Sequence, residues 1–417
     1  MGDGMMGTAM LVAGCPDGRV QLLDPHSGYV GCEIPLHPRA VASVAVASDG
    51  TSVASGGADG TVCIWDVETG KVRMRLRQHD GKQGCRCHIL PDSGLPAHIS
   101  ALCAVTGLLC EVTSVAFSQD CRRIATGDGG GQVIIWGTRV GAVKRSFSIG
   151  RNRPVIAIAF SPDGLRIACS ALDDGVGKRP QTTVTGAPGW IVQVWDVKDA
   201  EISRVLQNLR SNPVDVAFSP DGKRLTCGAR KDLHCFNVDA GMKLKRYTHT
   251  VLRNFKHPQV VTAAAWSPDG KQIATGAKDG GLRVWDADSG VLVWCVWGHT
   301  GKNGCLCPSR RRGGPPNPGC PLLGHRDHIC KVFWSDSGAT VGTVSEDGSC
   351  KLWSAATGDH LRTSILPVDP KETCFALGPD PHTARRLAVA MGFNDRLGAA
   401  SCFRWLDPAV ARMLLEV

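Results

Sequence analysis

Three sets of residues carry the ingredients of nucleophilic chemistry at a fixed spacing. His37, Ser55 and Asp59 precede Trp65 at the offsets that separate His257, Thr275 and Asp279 from Trp285, and His325, Thr343 and Asp347 from Trp353. An imidazole beside a hydroxyl and a carboxylate is the composition of a catalytic triad. Catalysis, however, needs one exposed and activated constellation, whereas here the same set recurs along the chain. Repetition points to architecture, so these residues read as structural and no catalytic residue is assigned.

Other candidate chemistry is weaker. Two segments begin alike, GKQGCRCH from Gly81 and GKNGCLC from Gly301, and together hold Cys85, Cys87, Cys103, Cys110, Cys305, Cys307 and Cys320. Structural zinc takes convergent soft ligands, commonly as paired Cys-x-x-Cys knuckles, and neither segment has them. The reading is therefore no metal and no cofactor. Gly175-Val176-Gly177-Lys178 fails as a phosphate loop because Leu172 and Arg179 occupy its required Gly and Ser/Thr positions. Gly127 to Gly131 fails as a dinucleotide fingerprint at Gln132, and no HExxH, GxSxG or kinase signature occurs. The chain is not expected to be an enzyme.

The formal net charge is +9, with 47 Lys and Arg against 38 Asp and Glu. Such an excess aids an acidic partner without requiring one. Its densest local expression is Arg310-Arg311-Arg312, the candidate partner-binding residues, supported by cations between Lys243 and Lys256. No aromatic interleaving accompanies them, which weighs against a nucleic-acid surface.

The elements that hold these residues follow from self-similarity. The stretch from His37 lies on the stretch from His257 without a gap, and further copies begin at Glu111, Pro154, Pro213 and His325. Each copy breaks into short alternating runs, such as Val41 to Val46 and Val62 to Trp65, separated by turn residues including SDG, ADG and VETG. The last aromatic or apolar landmark of each copy falls at Leu23, Trp65, Trp136, Trp195, Phe236, Trp285, Trp353 and Trp405, giving eight units. One small four-stranded sheet cannot bury both of its faces, so the units must stack, and radial closure gives every sheet two neighbours. The expectation is an all-β chain forming a single β-propeller of four-stranded antiparallel blades over residues 1–417. Eight blades are preferred, with seven as the alternative. The first unit has too few residues ahead of it for an inner strand, which leaves the closure of the ring open.

The Trp-Asp pairs at Trp65, Trp195 and Trp285, with the repeated SPDG turns, resemble the WD40 repeat family over almost the whole chain. The resemblance implies that His, Ser/Thr, Asp and Trp form a buried hydrogen-bonded tetrad within a blade. Gly130 in place of Asp, Cys169 and Cys227 in place of Ser/Thr, and Phe236 in place of Trp depart from the pattern. Those blades should lean more on packing.

Extra sequence at about 82–110, 173–189 and 300–325, with a shorter excess near 248–256, falls at second-to-third-strand turns or blade-to-blade crossings. In an up-and-down blade both emerge on one face, so the enlarged loops should share it. Specificity usually resides in loops on a rigid scaffold. Excision of the segments restores the repeat, so retained noncoding sequence is a second reading of them. The resemblance and the loops imply a non-enzymatic scaffold that binds other proteins as part of a multiprotein complex; the alternative is a sensor or carrier of an acidic ligand or nucleic acid. The opening residues have no basic stretch and only a short apolar run, unlike a signal peptide. No apolar run reaches the roughly 18 residues of a membrane helix. The cysteines therefore read as thiols of a cytoplasmic or nuclear protein.

Overall fold

The computed structural model describes residues 9–25, 27, 29–77, 111–149, 154–173, 189–209, 213–229, 231–238, 243–248, 259–298, 324–368 and 373–379. They form seven four-stranded antiparallel sheets. Six are made of consecutive strands. In blade 2 these are Val41–Val46, Ser52–Gly57, Val62–Asp66 and Val72–Leu76, in order from the ring's inside to its outside. Blades 3 to 7 repeat this order from inner strands Val112–Phe117, Val155–Phe160, Pro213–Phe218, Val261–Trp266 and Ile329–Trp334.

Burial follows position in the blade. The second strand of blade 2 is buried at every residue and its third strand nearly so, because a neighbouring blade covers each face. Outer strands have lost one neighbour and are largely exposed, as in Val143–Ser148. Seven apolar clusters hold the ring, one at each junction between successive blades. The seventh joins Phe333, Val344 and Leu352 of blade 7 to Leu11, Leu23 and Phe375 of blade 1, which closes the circle.

The ring thus has seven blades, the alternative to the preferred eight. The correction has a topological cause. Blade 1 contains Ala9–Gly14, Arg19–Leu23 and Val30–Pro35, and its inner strand is Cys374–Pro379 from the opposite end of the chain, paired antiparallel with Ala9–Gly14. The first and last sequence units therefore share one blade. Trp405, the landmark of the expected eighth, lies outside the described residues.

Backbone hydrogen bonds separate the two faces of the ring. On one, second-to-third-strand turns bond the crossings that enter each inner strand: Ala58 N–H donates to Ala40 O at 2.9 Å, Gly129 to Glu111 at 3.0 Å, Lys278 to Val260 at 2.8 Å and Glu346 to His328 at 2.8 Å. On the other, the two remaining kinds of turn are joined, as in Thr138 N–H to Arg122 O at 3.0 Å and Ala287 to Lys271 at 2.8 Å. The residues flanking the extra segments lie on the first face; the segments themselves fall almost entirely outside the described residues.

Candidate functional site

The recurring His, Ser/Thr, Asp and Trp residues stand beneath that first face. In blade 7 the Trp353 indole N–H donates to Thr343 Oγ1 at 2.9 Å, and His325 Nε2 lies 2.7 Å from the same hydroxyl. His325 Nδ1 is 3.1 Å from Asp347 Oδ2, and the carboxylate also accepts the Ser349 hydroxyl at 2.6 Å and the Arg326 N–H at 2.8 Å. Burial lowers the His325 pKa despite the neighbouring Asp347, while hydrogen bonds from His325, Ser349 and the Arg326 amide outweigh burial and hold Asp347 below the usual carboxylate range. A neutral imidazole with its proton on Nδ1 satisfies this chain: it donates to Asp347 and accepts from Thr343. His325 and Thr343 are both inaccessible. A hydroxyl so enclosed cannot meet a substrate, so the constellation organises the blade and does not offer a nucleophile.

Blade 2 is wired differently. His37 Nε2 lies 2.8 Å from Ser55 Oγ, and Nδ1 lies 3.2 Å from Asp59 Oδ1 and 3.0 Å from Thr61 Oγ1. Burial opposes charge on this histidine, but Asp59 and Cys63 prevail and raise it to about 9; burial likewise opposes charge on Asp59, which His37 and Thr61 hold at about 2. The Trp65 indole N–H, wholly buried, has no hydrogen-bond partner among the described residues. The chain here links three of the four residues. In blade 6 Trp285 donates to Thr275 Oγ1 at 2.9 Å, and Asp279 accepts from Arg283 Nη2 at 2.9 Å, both side chains being 1% exposed. His257 lies outside the described residues.

The departing blades show what replaces the missing groups. Blade 3 has Gly130 at the acid position, yet the preceding Asp128 is buried and accepts the Gly130 and Gln132 N–H groups at 2.9 and 2.8 Å. Its Trp136 donates to Thr126 Oγ1 at 2.9 Å. In blade 4, where Cys169 stands for Ser/Thr, Trp195 donates instead to Gln193 Oε1 at 3.2 Å and stacks on Phe147 with ring centroids 4.2 Å apart. In blade 5, Cys227 and Phe236 stand at the hydroxyl and Trp positions, and the adjacent Thr226 hydroxyl accepts the Trp266 indole N–H from blade 6 at 2.9 Å. Asp128 was visible in the run GDGGG. Gln193 and Arg283 carried no signal beyond being polar residues in apolar strands.

The inner strands add contacts that repeat alignment does not reveal. Lys331 of blade 7 reaches Asp215 of blade 5, with Nζ 3.6 Å from Oδ2. Ser43 Oγ accepts the Val115 N–H at 3.1 Å, and Ser114 Oγ accepts the Ile158 N–H at 3.0 Å, each linking one blade to the next. On the rim of the first face, His328 Nδ1 lies 3.4 Å from Glu346 Oε2, with Asp327 beside it; these part-exposed groups are the set closest to a cation-binding arrangement among the described residues. Arg310, Arg311 and Arg312 lie outside the described residues, as do the seven cysteines of the two similar segments. Among the described residues no helix is long and apolar enough to cross a membrane.

The WD domain, G-beta repeat family matches this chain at residues 29–66, 97–137, 249–286 and 318–354. The guanine nucleotide-binding protein subunit beta of Oryza sativa subsp. japonica is 24% identical over 354 residues, covering 82% of this chain and 77% of that protein. WD repeat-containing protein 1 of Xenopus tropicalis is 25% identical over 360 residues, 78% of this chain but 49% of that protein. Protein HIR1 of Candida albicans is 25% identical over 264 residues, 56% of this chain and 27% of that protein. The chain thus spans about half or less of the latter two.

Proposed function

Because the chain is a WD40-repeat β-propeller, we propose that it is a non-enzymatic scaffold that docks partner proteins on the face where its extra segments emerge. The observation that carries this reading is the enclosure of His325 and Thr343, to which Asp347 is bonded: these groups are consumed inside a blade, which favours a surface as the functional part. Two features support the choice of face. Glu111, Val260 and His328, which follow three of the segments, accept backbone hydrogen bonds from second-to-third-strand turns there, giving the loops a rigid base. One relative is by its name a subunit, hence a member of an assembly. Arg310, Arg311 and Arg312 are the proposed contact residues, and a cytoplasmic or nuclear setting is part of the same proposal.

The test is reversal of the three arginines to glutamate in the full chain, with isolated partners quantified by mass spectrometry and association followed at two ionic strengths. The expected result is a slower association with a weaker salt dependence. The control reverses Lys223 and Lys271 on the opposite face. Arg224, although adjacent, is unsuitable as a control because its guanidinium bonds Asp288 at 2.8 Å. A partner lost with the control and retained with the arginine variant would place the docking surface on the other face.

A further inference from the structure

The face opposite the extra segments has one junction between blades that is built unlike its counterpart elsewhere in the ring. Between blades 5 and 6, Arg224 bridges the gap: Nη1 donates to Asp288 Oδ1 at 2.8 Å and Ala287 O at 3.3 Å, and Nη2 donates to Gly270 O at 3.1 Å. The guanidinium carbon lies 4.9 Å from the centroid of the Trp266 ring. Strand register places Ser52, Phe117 and Arg139 at the positions of Arg224, Trp266 and Asp288 in the junction between blades 2 and 3. The bridging cation is thus a short hydroxyl here, the indole a smaller ring, and the acid an arginine.

The result is a cavity of about 350 Å3. Arg73, Arg122 and Arg139 line it against a single acid, Asp49, with Met74 and Phe117 among its apolar residues. Arg73 is held by Asp66 and by Ser52 Oγ, the latter at 3.0 Å. Arg122 and Arg139 are exposed and form no ion pair among the described residues. Asp49 accepts the N–H and O–H of Thr51, each at 2.9 Å, within its own turn. The walls are fixed to each other: Ser48 Oγ donates to Gln119 O at 2.6 Å across the junction, and Thr138 Oγ1 donates to Cys121 O at 2.8 Å.

Size and charge narrow the occupant. The volume lies at the small end of ligand pockets, about 300 to 1,000 Å3, and suits a modified side chain better than a folded surface. With Arg73 paired to Asp66, the available guanidinium groups are Arg122 and Arg139, and two such groups suit a dianion: a phosphorylated side chain carries about −1.5 to −2 near neutral pH. Guanidinium groups grip phosphoryl oxygens in pairs of parallel hydrogen bonds, and a partly apolar lining suits the carbon stem that bears the phosphate. We propose that the junction between blades 2 and 3 is a binding site for a phosphorylated serine or threonine of a partner polypeptide, with Arg122 and Arg139 on the phosphoryl group.

The probes are labelled degenerate peptide pools with a central phosphoserine or serine, titrated against the full chain by fluorescence anisotropy. The expected result is a preference of about tenfold or more for the phosphoserine pool, reduced by a similar factor in Arg122→Ser/Arg139→Ser. A second variant, Ser52→Arg with Arg139→Asp, rebuilds the bridge seen between blades 5 and 6 and fills the cavity; it should abolish the preference while keeping a cooperative thermal transition. Reversal of Arg310 to Arg312 should leave the preference intact, which separates this site from the proposed docking face. Equal binding of the two pools, or a preference that survives both cavity variants, would overturn the proposal. So would inorganic phosphate competing as well as a phosphoserine peptide, since the site would then recognise the free anion.

Discussion

Single residues decide how each repeat departs from its template, and one of them, Cys121, carries backbone strain. Gly50, Gly164, Gly222, Gly270 and Gly338 occupy the turn after the inner strand with φ between 66 and 70°, whereas blade 3 places Cys121 there at 54°. A side chain in this left-handed region costs about 1 kcal/mol or more, of which glycine returns part to unfolded-chain entropy. Cys121→Gly should therefore stabilise the protein by about 0.5 to 1 kcal/mol, visible as a raised thermal midpoint. An unchanged or lowered midpoint would mean that the Cys121 contacts with Ser48 outweigh the backbone. The two described histidines of the recurring sets make opposite predictions with pH. His37 is raised from 6.5 to about 9 by folding, so its contribution is complete below pH 6.5 and disappears as pH rises through 9. His325 is lowered, so its contribution is present above 6.5 and is lost as pH falls. Thermal midpoints of wild type relative to His37→Asn should thus converge between pH 6.5 and 9. Relative to His325→Asn they should diverge as pH rises from 5 towards 7. Parallel curves would contradict the two environments.

At the scale of elements, the turns and strands of each blade were legible because their information is local. The SPDG turns, the alternating runs and the division of turns between two faces all follow from residues close in sequence. What escaped was nonlocal: the Arg224 bridge and the Lys331 to Asp215 contact. Each depends on which blades become neighbours, and neither leaves a periodic mark. The extra segment before blade 7 is a case where sequence and geometry meet. A Cβ placed on Gly324 would fall 3.0 Å from Gly298 Cα and closer still to the Trp297 carbonyl, so the two ends of the segment lie side by side. Removing residues 299–324 joins Gly298 directly to His325, giving a crossing from Val296 to Ile329 with as many residues as the one from Ile34 to Val41. The deleted protein should stay free of aggregates and unfold cooperatively, because the connection has a length already used in the ring. Calorimetry together with light scattering checks this; loss of the cooperative transition would make the segment part of the core.

For the whole molecule, closure is the property that no single repeat encodes. The blade count depended on whether the two terminal units were separate or shared, and their landmarks, Leu23 and Trp405, gave no means of telling. The answer lay in the pairing of Cys374–Pro379 with Ala9–Gly14, a contact between residues at opposite ends of the sequence. That strand buries Phe375 against blade 7 and Ala376 against blade 2, so it serves both junctions of blade 1. Its removal would expose Leu11 and Val12, now fully buried, and leave the unpaired edge of Ala9–Gly14 open to other chains. Truncation after Pro379 should therefore preserve a soluble ring with a cooperative transition, whereas truncation after Thr373 should lower the midpoint steeply and promote aggregation. The contrast rests on six residues, Cys374 to Pro379, and is sharpened by a rescue: a synthetic peptide of that sequence should restore part of the lost stability by pairing in trans. Equal behaviour of the two truncations would show that blade 1 is stable on three strands and that closure is supplied by packing alone.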